Sequence, residues 1–134
     1  MELEAVLRII LAAVLGGVIG YQRERIGKAA GLRTIVLICI GAAVFAVVTV
    51  YGFGVSDTGR AAITAGVVTG VGFLGAGTIL RSSEGHVEGL TTAATIWAMA
   101  GVGTAVGVGL YLIGVVSTLV VLVTLLLPHI NPRS

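Results

Sequence analysis

Long runs of apolar residues alternate with short polar connections along this chain. A bilayer core about 30 Å thick takes about 20 helical residues per crossing. Five apolar runs meet this length and predict membrane-spanning helices at about 5–21, 32–51, 61–80, 90–106 and 109–127. We therefore expect an all-α membrane protein with five transmembrane helices, in which residues 1–134 form a single transmembrane domain.

The two halves of this pattern resemble each other. A shift of 58 residues brings seven residues onto identical ones, namely Gly17, Arg23, Gly27, Gly31, Leu32, Thr34 and Ile38 onto Gly75, Arg81, Gly85, Gly89, Leu90, Thr92 and Ile96. This correspondence predicts a duplicated helix-loop-helix unit. In a parallel repeat the two loops lie at the same membrane face.

Composition agrees with a membrane location, and the charge distribution predicts the orientation of the chain in the membrane. The chain is 57% apolar and only 10% charged, which excludes an ordinary soluble protein. The cations expected at one face are Arg23, Arg25, Lys28, Arg33, Arg81 and Arg133. Only Arg8 and Arg60 fall at the other face, where we expect their long side chains to reach toward the lipid–water interface. Positive-inside bias then predicts an outer N-terminus and a cytoplasmic C-terminus in a prokaryotic inner membrane.

Small residues spaced four apart predict where the helices approach closely, because backbones in lipid associate through close packing. The expected packing residues are Gly16, Gly20, Gly66, Gly70, Gly72, Gly75, Gly77 and Trp97. We expect the first, third and fourth spans at the centre and the bulky fifth span at the periphery. Close packing is favoured for the glycine-rich third span, and a broken helix stays open. These small residues occur on three spans, more than the packing of five short helices requires, and this predicts a homodimer.

Both polar loops enter a helix through a Gly-Leu-x-Thr sequence, at residues 31–34 and 89–92. Helix N-termini favour anions and carboxylates. The predicted polar cluster at the cytoplasmic face comprises Arg23, Glu24, Arg33, Thr34, Arg81, Glu88, Thr91 and Thr92. The alternative that these are solvated loop charges and headgroup anchors stays open.

The sequence contains no zinc, P-loop, nucleophile-elbow or nucleic-acid motif, so we expect neither an enzyme nor a nucleic-acid partner. No acidic residue lies deep in a predicted span. The weak metal candidates are therefore Glu24, Glu84, Glu88 and Asp57, which would suit a hydrated magnesium ion at most. Membrane lipids are the expected contacts of the basic face.

Four segments together resemble the transmembrane domain of the MgtC/SapB family. They are GVIGYQRER (17–25), GKAAGLRT (27–34), GVGFLGAGTI (70–79) and VEGLTTAATIWAMAGVGTAVGVGLY (87–111). The resemblance implies a virulence-associated family of five-span bacterial or archaeal membrane proteins that act in magnesium limitation. It also implies ATP synthase as a possible membrane partner. Long members carry a soluble C-terminal domain, and the expectation here is the transmembrane domain without it.

The family's polar signature falls on Arg23, Glu24, Arg33 and Thr34, and then on Arg81, Thr91, Thr92 and Trp97. Where family members often have an Arg and then a Gln, this chain has Ala62 and Gly66, with Arg60 displaced. We expect a role in magnesium homeostasis, as a regulator or ion-handling module. A magnesium or proton transporter or channel, and a lipid-interacting structural module, are the alternatives.

Overall fold

The computed structural model describes residues 1–52, 54, 56–81, 85 and 87–128. Within them the chain forms five helices and one short hairpin: α1 Glu2–Arg25, α2 Leu32–Tyr51, α3 Asp57–Ala76, β1 Leu80–Arg81, β2 Val87–Glu88, α4 Leu90–Gly107 and α5 Tyr111–Leu126. The first four helices are long and apolar enough to cross a membrane, and α5 is shorter, with 16 residues. The predicted class, an all-α membrane protein with five helices, is confirmed.

Glycines related by the 58-residue shift occupy corresponding places in the two units. Gly27 and Gly85 both have positive φ, at 74° and 82°, which a residue without a Cβ adopts at little cost. Gly31 and Gly89 immediately precede α2 and α4, which begin at Leu32 and Leu90. The two units therefore enter their second helices at equivalent residues.

Helix α3 begins and ends earlier than the predicted 61–80 span. Ser56 caps its N-terminus by accepting a hydrogen bond from the backbone N–H of Gly59 at 3.0 Å, so the helix starts at Asp57. At the other end β1 pairs antiparallel with β2, with Leu80 opposite Glu88. The hairpin begins at Leu80, the last residue of the predicted span, and residues 77–79 connect it to α3.

The centre of the bundle is formed by α1, α2 and α4, which corrects the predicted centre of first, third and fourth spans. A Cβ on Gly16 would lie 2.9 Å from Cys39 Sγ, and one on Gly20 would lie 2.8 Å from Leu32 Cα, so α1 meets α2 closely at both glycines. On α4, a Cβ on Gly103 would lie 2.5 Å from the carbonyl oxygen of Cys39. Glycines of α1 and α4 thus bring both backbones against α2.

The third helix lies at the edge of this centre, with only Val71 and Gly75 buried. A Cβ on Gly66, Gly70 or Gly72 would meet nothing within 4 Å, so the predicted packing role of these three glycines is not met within the chain. Gly75 does approach Ala93 of α4, and Gly77 follows the last residue of α3. The helix is continuous from Asp57 to Ala76, so the alternative of a broken span is wrong.

Two further packing predictions have different outcomes. Trp97 is 59% exposed, because it lies on the face of α4 that points away from the buried Ile96 and Met99. Its predicted packing role within the chain is therefore wrong. Helix α5 buries only Gly114 and Thr118, in agreement with its predicted place at the periphery.

Candidate functional site

A cleft of about 990 Å³ opens at one end of the bundle, which we call the basic end. Its walls come from the α1–α2 connection, the β2–α4 segment and residues at and just after the end of α5. Its polar lining consists of Arg23, Lys28, Thr78, Glu88, Thr91, Thr92 and Thr124. The cleft therefore brings the two repeated loops together, as their predicted common face requires.

Arg23 and Thr92 connect the two units at the floor of this cleft. Arg23 lies in the last turn of α1 and Thr92 in the first turn of α4. The guanidinium Nη2 donates a hydrogen bond to Thr92 Oγ1 at 2.7 Å. Both residues are buried, with 3% and 4% of their surface exposed. Their separation of 69 residues makes this contact a tertiary link between the halves.

Two buried side-chain atoms near the end of α1, Arg23 Nε and Gln22 Oε1, have no hydrogen-bond partner among the described residues. Buried donors and acceptors in folded proteins are nearly always paired, because an unpaired group loses its hydration without replacement. The basic end therefore contains hydrogen-bonding capacity that the described part of the chain does not use.

The first turn of α4 adds backbone donors to the same cleft. Its N-cap, Gly89, provides no side chain to accept from them. The free N–H groups of a first turn and the helix dipole favour an anion. Gly89 has φ +90°, and any Cβ there would collide with the backbone of Thr78. Glycine is thus required for the hairpin to pass this close to α4.

The predicted cluster divides into residues inside and outside the cleft. Arg23, Thr91 and Thr92 line it together with the exposed Glu88. Glu24, Arg33 and Thr34 are exposed at the same end of the bundle but do not line the cleft. The Glu24 side chain lies against Gly31, just before α2, and Arg33 and Thr34 lie on the exposed side of the first turn of α2. Arg81 belongs to β1, but its side chain lies outside the described part of the structure.

The three metal candidates that the structure describes, Asp57, Glu24 and Glu88, do not form one group. Asp57 lies at the opposite end of the bundle, where its Oδ1 is 3.7 Å from Nη1 of Arg60. Glu24 and Glu88 are exposed at the basic end, and Glu84 lies outside the described residues. No group of three His, Cys, Asp or Glu side chains that could hold a metal ion occurs among the residues described.

A second polar cluster, which the sequence analysis missed, lies at the opposite end. Arg8 is buried instead of reaching the interface, which corrects its prediction. Its guanidinium donates to Tyr111 Oη at 2.9 Å, to the carbonyl of Gly107 at 3.0 Å and to Glu4 Oε1 at 2.6 Å. The ring of Tyr51 lies 5.1 Å away. The local signal was the Glu4–Arg8 spacing of one helical turn, whereas the tyrosines are distant in sequence.

The helical bundle, its membrane-length helices and its duplicated loops define a multi-pass membrane protein with a polar cleft at one end. Comparison with known proteins then gives the family. The chain matches the MgtC family over residues 9–131 and belongs to it.

Three relatives illustrate the similarity. "Putative magnesium transporter YhiD" of Escherichia coli K12 is 44% identical over 96% of this chain and 62% of its own length. "Protein SrpB" of Synechococcus elongatus is 45% identical over 88% of this chain and 71% of its own. "Protein MgtC" of Salmonella typhimurium 14028s is 40% identical over 87% and 49%, respectively.

The chain therefore spans less than two thirds of YhiD and about half of MgtC. No solved structure matches the chain.

Proposed function

We propose that the chain acts in magnesium homeostasis, in adaptation to low magnesium, as a non-enzymatic regulatory module of the cytoplasmic membrane. The observation that carries this proposal is the buried Arg23–Thr92 hydrogen bond across the two units, at the floor of a cleft in a chain of the MgtC family. A ligand or partner that enters the cleft would contact both units at once. Its binding could therefore alter how α1 and α4 pack.

The polar groups of the described helices support regulation over ion passage. Hydroxyl groups within the helices donate to carbonyls of their own helix, as Thr95 does to Thr91 at 2.7 Å and Thr118 to Gly114 at 2.8 Å. A dehydrated magnesium ion would need oxygen ligands at closely fixed positions along its path. The two buried side-chain atoms without a hydrogen-bond partner among the described residues, Arg23 Nε and Gln22 Oε1, lie instead at the basic end.

A complementation experiment tests the role of the cleft. In a bacterial strain that lacks its own MgtC-family protein and grows poorly in low magnesium, the unmodified chain is expected to restore growth. Thr92→Val should abolish this restoration, because valine keeps the shape of threonine but cannot accept from Arg23. Immunoblots of the membrane fraction should show unchanged insertion.

Thr34→Val provides the matched control, since Thr34 is the repeat counterpart of Thr92 and is exposed outside the cleft. It should restore growth as well as the unmodified chain. Full restoration by Thr92→Val would contradict the proposal.

Ion transport is the second candidate, favoured by the name of YhiD. Purified chain in liposomes that contain a magnesium-sensitive or pH-sensitive dye distinguishes the two roles. If the role is regulatory, the ion flux of liposomes that contain the chain should equal that of protein-free liposomes. Magnesium or proton flux that increases with the amount of chain would favour the transporter instead.

A further inference from the structure

Arg23 places a positive charge in the protein interior without an ionic partner among the described residues. Among the described residues, the ion pairs join Arg8 to Glu4 and Arg60 to Asp57. Arg23 has a neutral partner, the hydroxyl of Thr92, and its Nε has none. A buried charge without a counter-charge is strongly unfavourable. The partial negative charge at the C-terminus of α1 favours a cation there, but it leaves the Nε–H group without an acceptor atom.

Other groups of the cleft favour an anion at the same place. The uncapped first turn of α4 supplies backbone donors, and Lys28 supplies a second cationic side chain. Glu88 is the acidic group on the described lining, and it is exposed to solvent, where its repulsion is screened. Donors from α1, the α1–α2 connection and α4 therefore converge on one space.

We infer that this cleft binds a phosphate group between Arg23, Lys28 and the N-terminus of α4. A tetrahedral phosphate offers several acceptor oxygens in different directions, so it can satisfy donors from separate elements better than a planar carboxylate. Arginine in particular presents several N–H groups to such an anion. The inference rests on the proposed function, because it names the ligand class for the cleft to which that role is assigned.

The same phosphate chemistry has two sources, a phospholipid headgroup and free inorganic phosphate. The cleft lies where α1 ends and α4 begins, at the level where a bilayer presents its headgroups. Leu90, Leu125 and Leu127 form an apolar part of its wall, against which an acyl chain could pack. These features suit a lipid, whereas the polar floor alone suits either source.

Binding to the full chain in an uncharged maltoside detergent separates the two sources. One arm titrates inorganic phosphate at constant ionic strength by calorimetry. The other measures retained lipid by native mass spectrometry after addition of dioleoylphosphatidylglycerol or of dioleoylglycerol, which has the same acyl chains but no phosphate. Saturable binding of inorganic phosphate supports a site for free phosphate. Retention of the phospholipid over the diacylglycerol, without binding of inorganic phosphate, supports a headgroup site.

Matched charge variants test whether this cleft is the site. Arg23→Gln should weaken binding about tenfold or more, the effect of losing a buried charge-assisted hydrogen bond. Lys28→Gln, at an exposed position that should not affect folding, should weaken it about two- to fivefold. Arg25→Gln removes an equal charge from an exposed residue outside the cleft and should change affinity by less than about twofold. Glu88→Gln should strengthen binding.

The inference is overturned if neither probe binds, if dioleoylglycerol is retained as well as the phospholipid, or if Lys28→Gln and Arg25→Gln have equal effects. The growth assay keeps this result apart from the proposed function. Phosphate binding without any growth defect in Thr92→Val would remove the regulatory role and leave the site. A growth defect without phosphate binding would do the reverse.

Discussion

Arg8 shows how a single buried cation can be accommodated at the edge of a membrane-spanning bundle. Its guanidinium contacts the side chain of Glu4 on its own helix, the hydroxyl of Tyr111 on α5 and the last carbonyl of α4. Gly109 has φ +95°, and a Cβ there would lie 3.0 Å from Arg8 Nη2. The α4–α5 connection can therefore pass directly over the charged group. Arg8 thus links α1 to both α4 and α5.

Tyr111→Phe is expected to destabilise the bundle by about 0.5–1.5 kcal/mol, because Arg8 loses one hydrogen-bond partner but keeps Glu4 and Gly107. Circular dichroism during denaturation by dodecyl sulfate in mixed micelles measures the change. Tyr21→Phe, at a tyrosine that is 60% exposed on α1, should leave stability unchanged. Equal stability of the two variants would show that the Arg8–Tyr111 contact contributes nothing.

At the scale of elements, the sequence located the helices better than it located their neighbours. Apolar length and the repeated Gly-Leu pair identified the starts of α2 and α4, because those features are local. Small residues four apart show that a helix can be approached closely, but not which helix approaches it. The stripe on α3 therefore suggested a central position that α2 occupies instead.

The same limit applies to the cleft. Arg23 and Thr92 were selected from loop polarity and repeat position, and the structure brings them into contact. Arg33 and Thr34 carry the same local signals, yet they lie on the outward side of α2. Burial depends on helix rotation within the bundle, which the short polar segments do not encode. Arg8 was missed for the converse reason, since its tyrosine partners are distant along the chain.

Among the four long helices, α3 is the one least buried by the rest of the chain. It matches α4 in mean hydropathy, yet 6% of its apolar stretch is buried, against 50% for α4. An apolar groove of about 640 Å³ runs between α2 and α3 past Gly66 and Gly70. Open glycines on a helix face would let another backbone approach closely. The homodimer that the sequence predicts would cover this face through a symmetric contact.

Gly70→Leu should convert dimer to monomer without unfolding the chain, because a Cβ at Gly70 meets nothing within 4 Å. Light scattering after size exclusion in mild detergent gives the mass. Gly101→Leu, which adds the same side chain to an equally open glycine on α4, should leave the dimer intact. Gly103→Leu should unfold the bundle, since that Cβ would lie 2.5 Å from Cys39 O. A folded monomer for the unmodified chain would contradict the prediction.

At the scale of the whole molecule, the duplicated units are similar in plan and different in detail. Gly27 and Gly85 share a positive φ, but α1 continues through Arg23 whereas the equivalent Arg81 lies in β1. The earlier end of α3 leaves room for the hairpin that encloses one side of the cleft. Loss of symmetry between the units thus creates one cleft with unequal walls.

The charge distribution of the whole molecule predicts its orientation. The described cations Arg23, Arg25, Lys28 and Arg33 all belong to the basic end, whereas Arg8 and Arg60 belong to the other end. Membrane insertion retains Lys and Arg near short loops on the cytoplasmic side. Moreover, Arg8 is paired with Glu4 and Arg60 with Asp57, so the other end presents little unbalanced positive charge. The basic end, with its cleft, is therefore expected in the cytoplasm.

Single cysteines introduced at exposed positions of the two ends test this orientation in intact cells. Thr58→Cys, near the start of α3, should react with a membrane-impermeant maleimide, whereas Ala29→Cys, in the α1–α2 connection, should react only after the membrane is opened. The native Cys39 is fully buried and gives the background signal in the unmodified chain. Labelling of Ala29→Cys but not Thr58→Cys from outside would reverse the orientation. It would place the cleft outside the cytoplasm, where no cytoplasmic ligand could reach it.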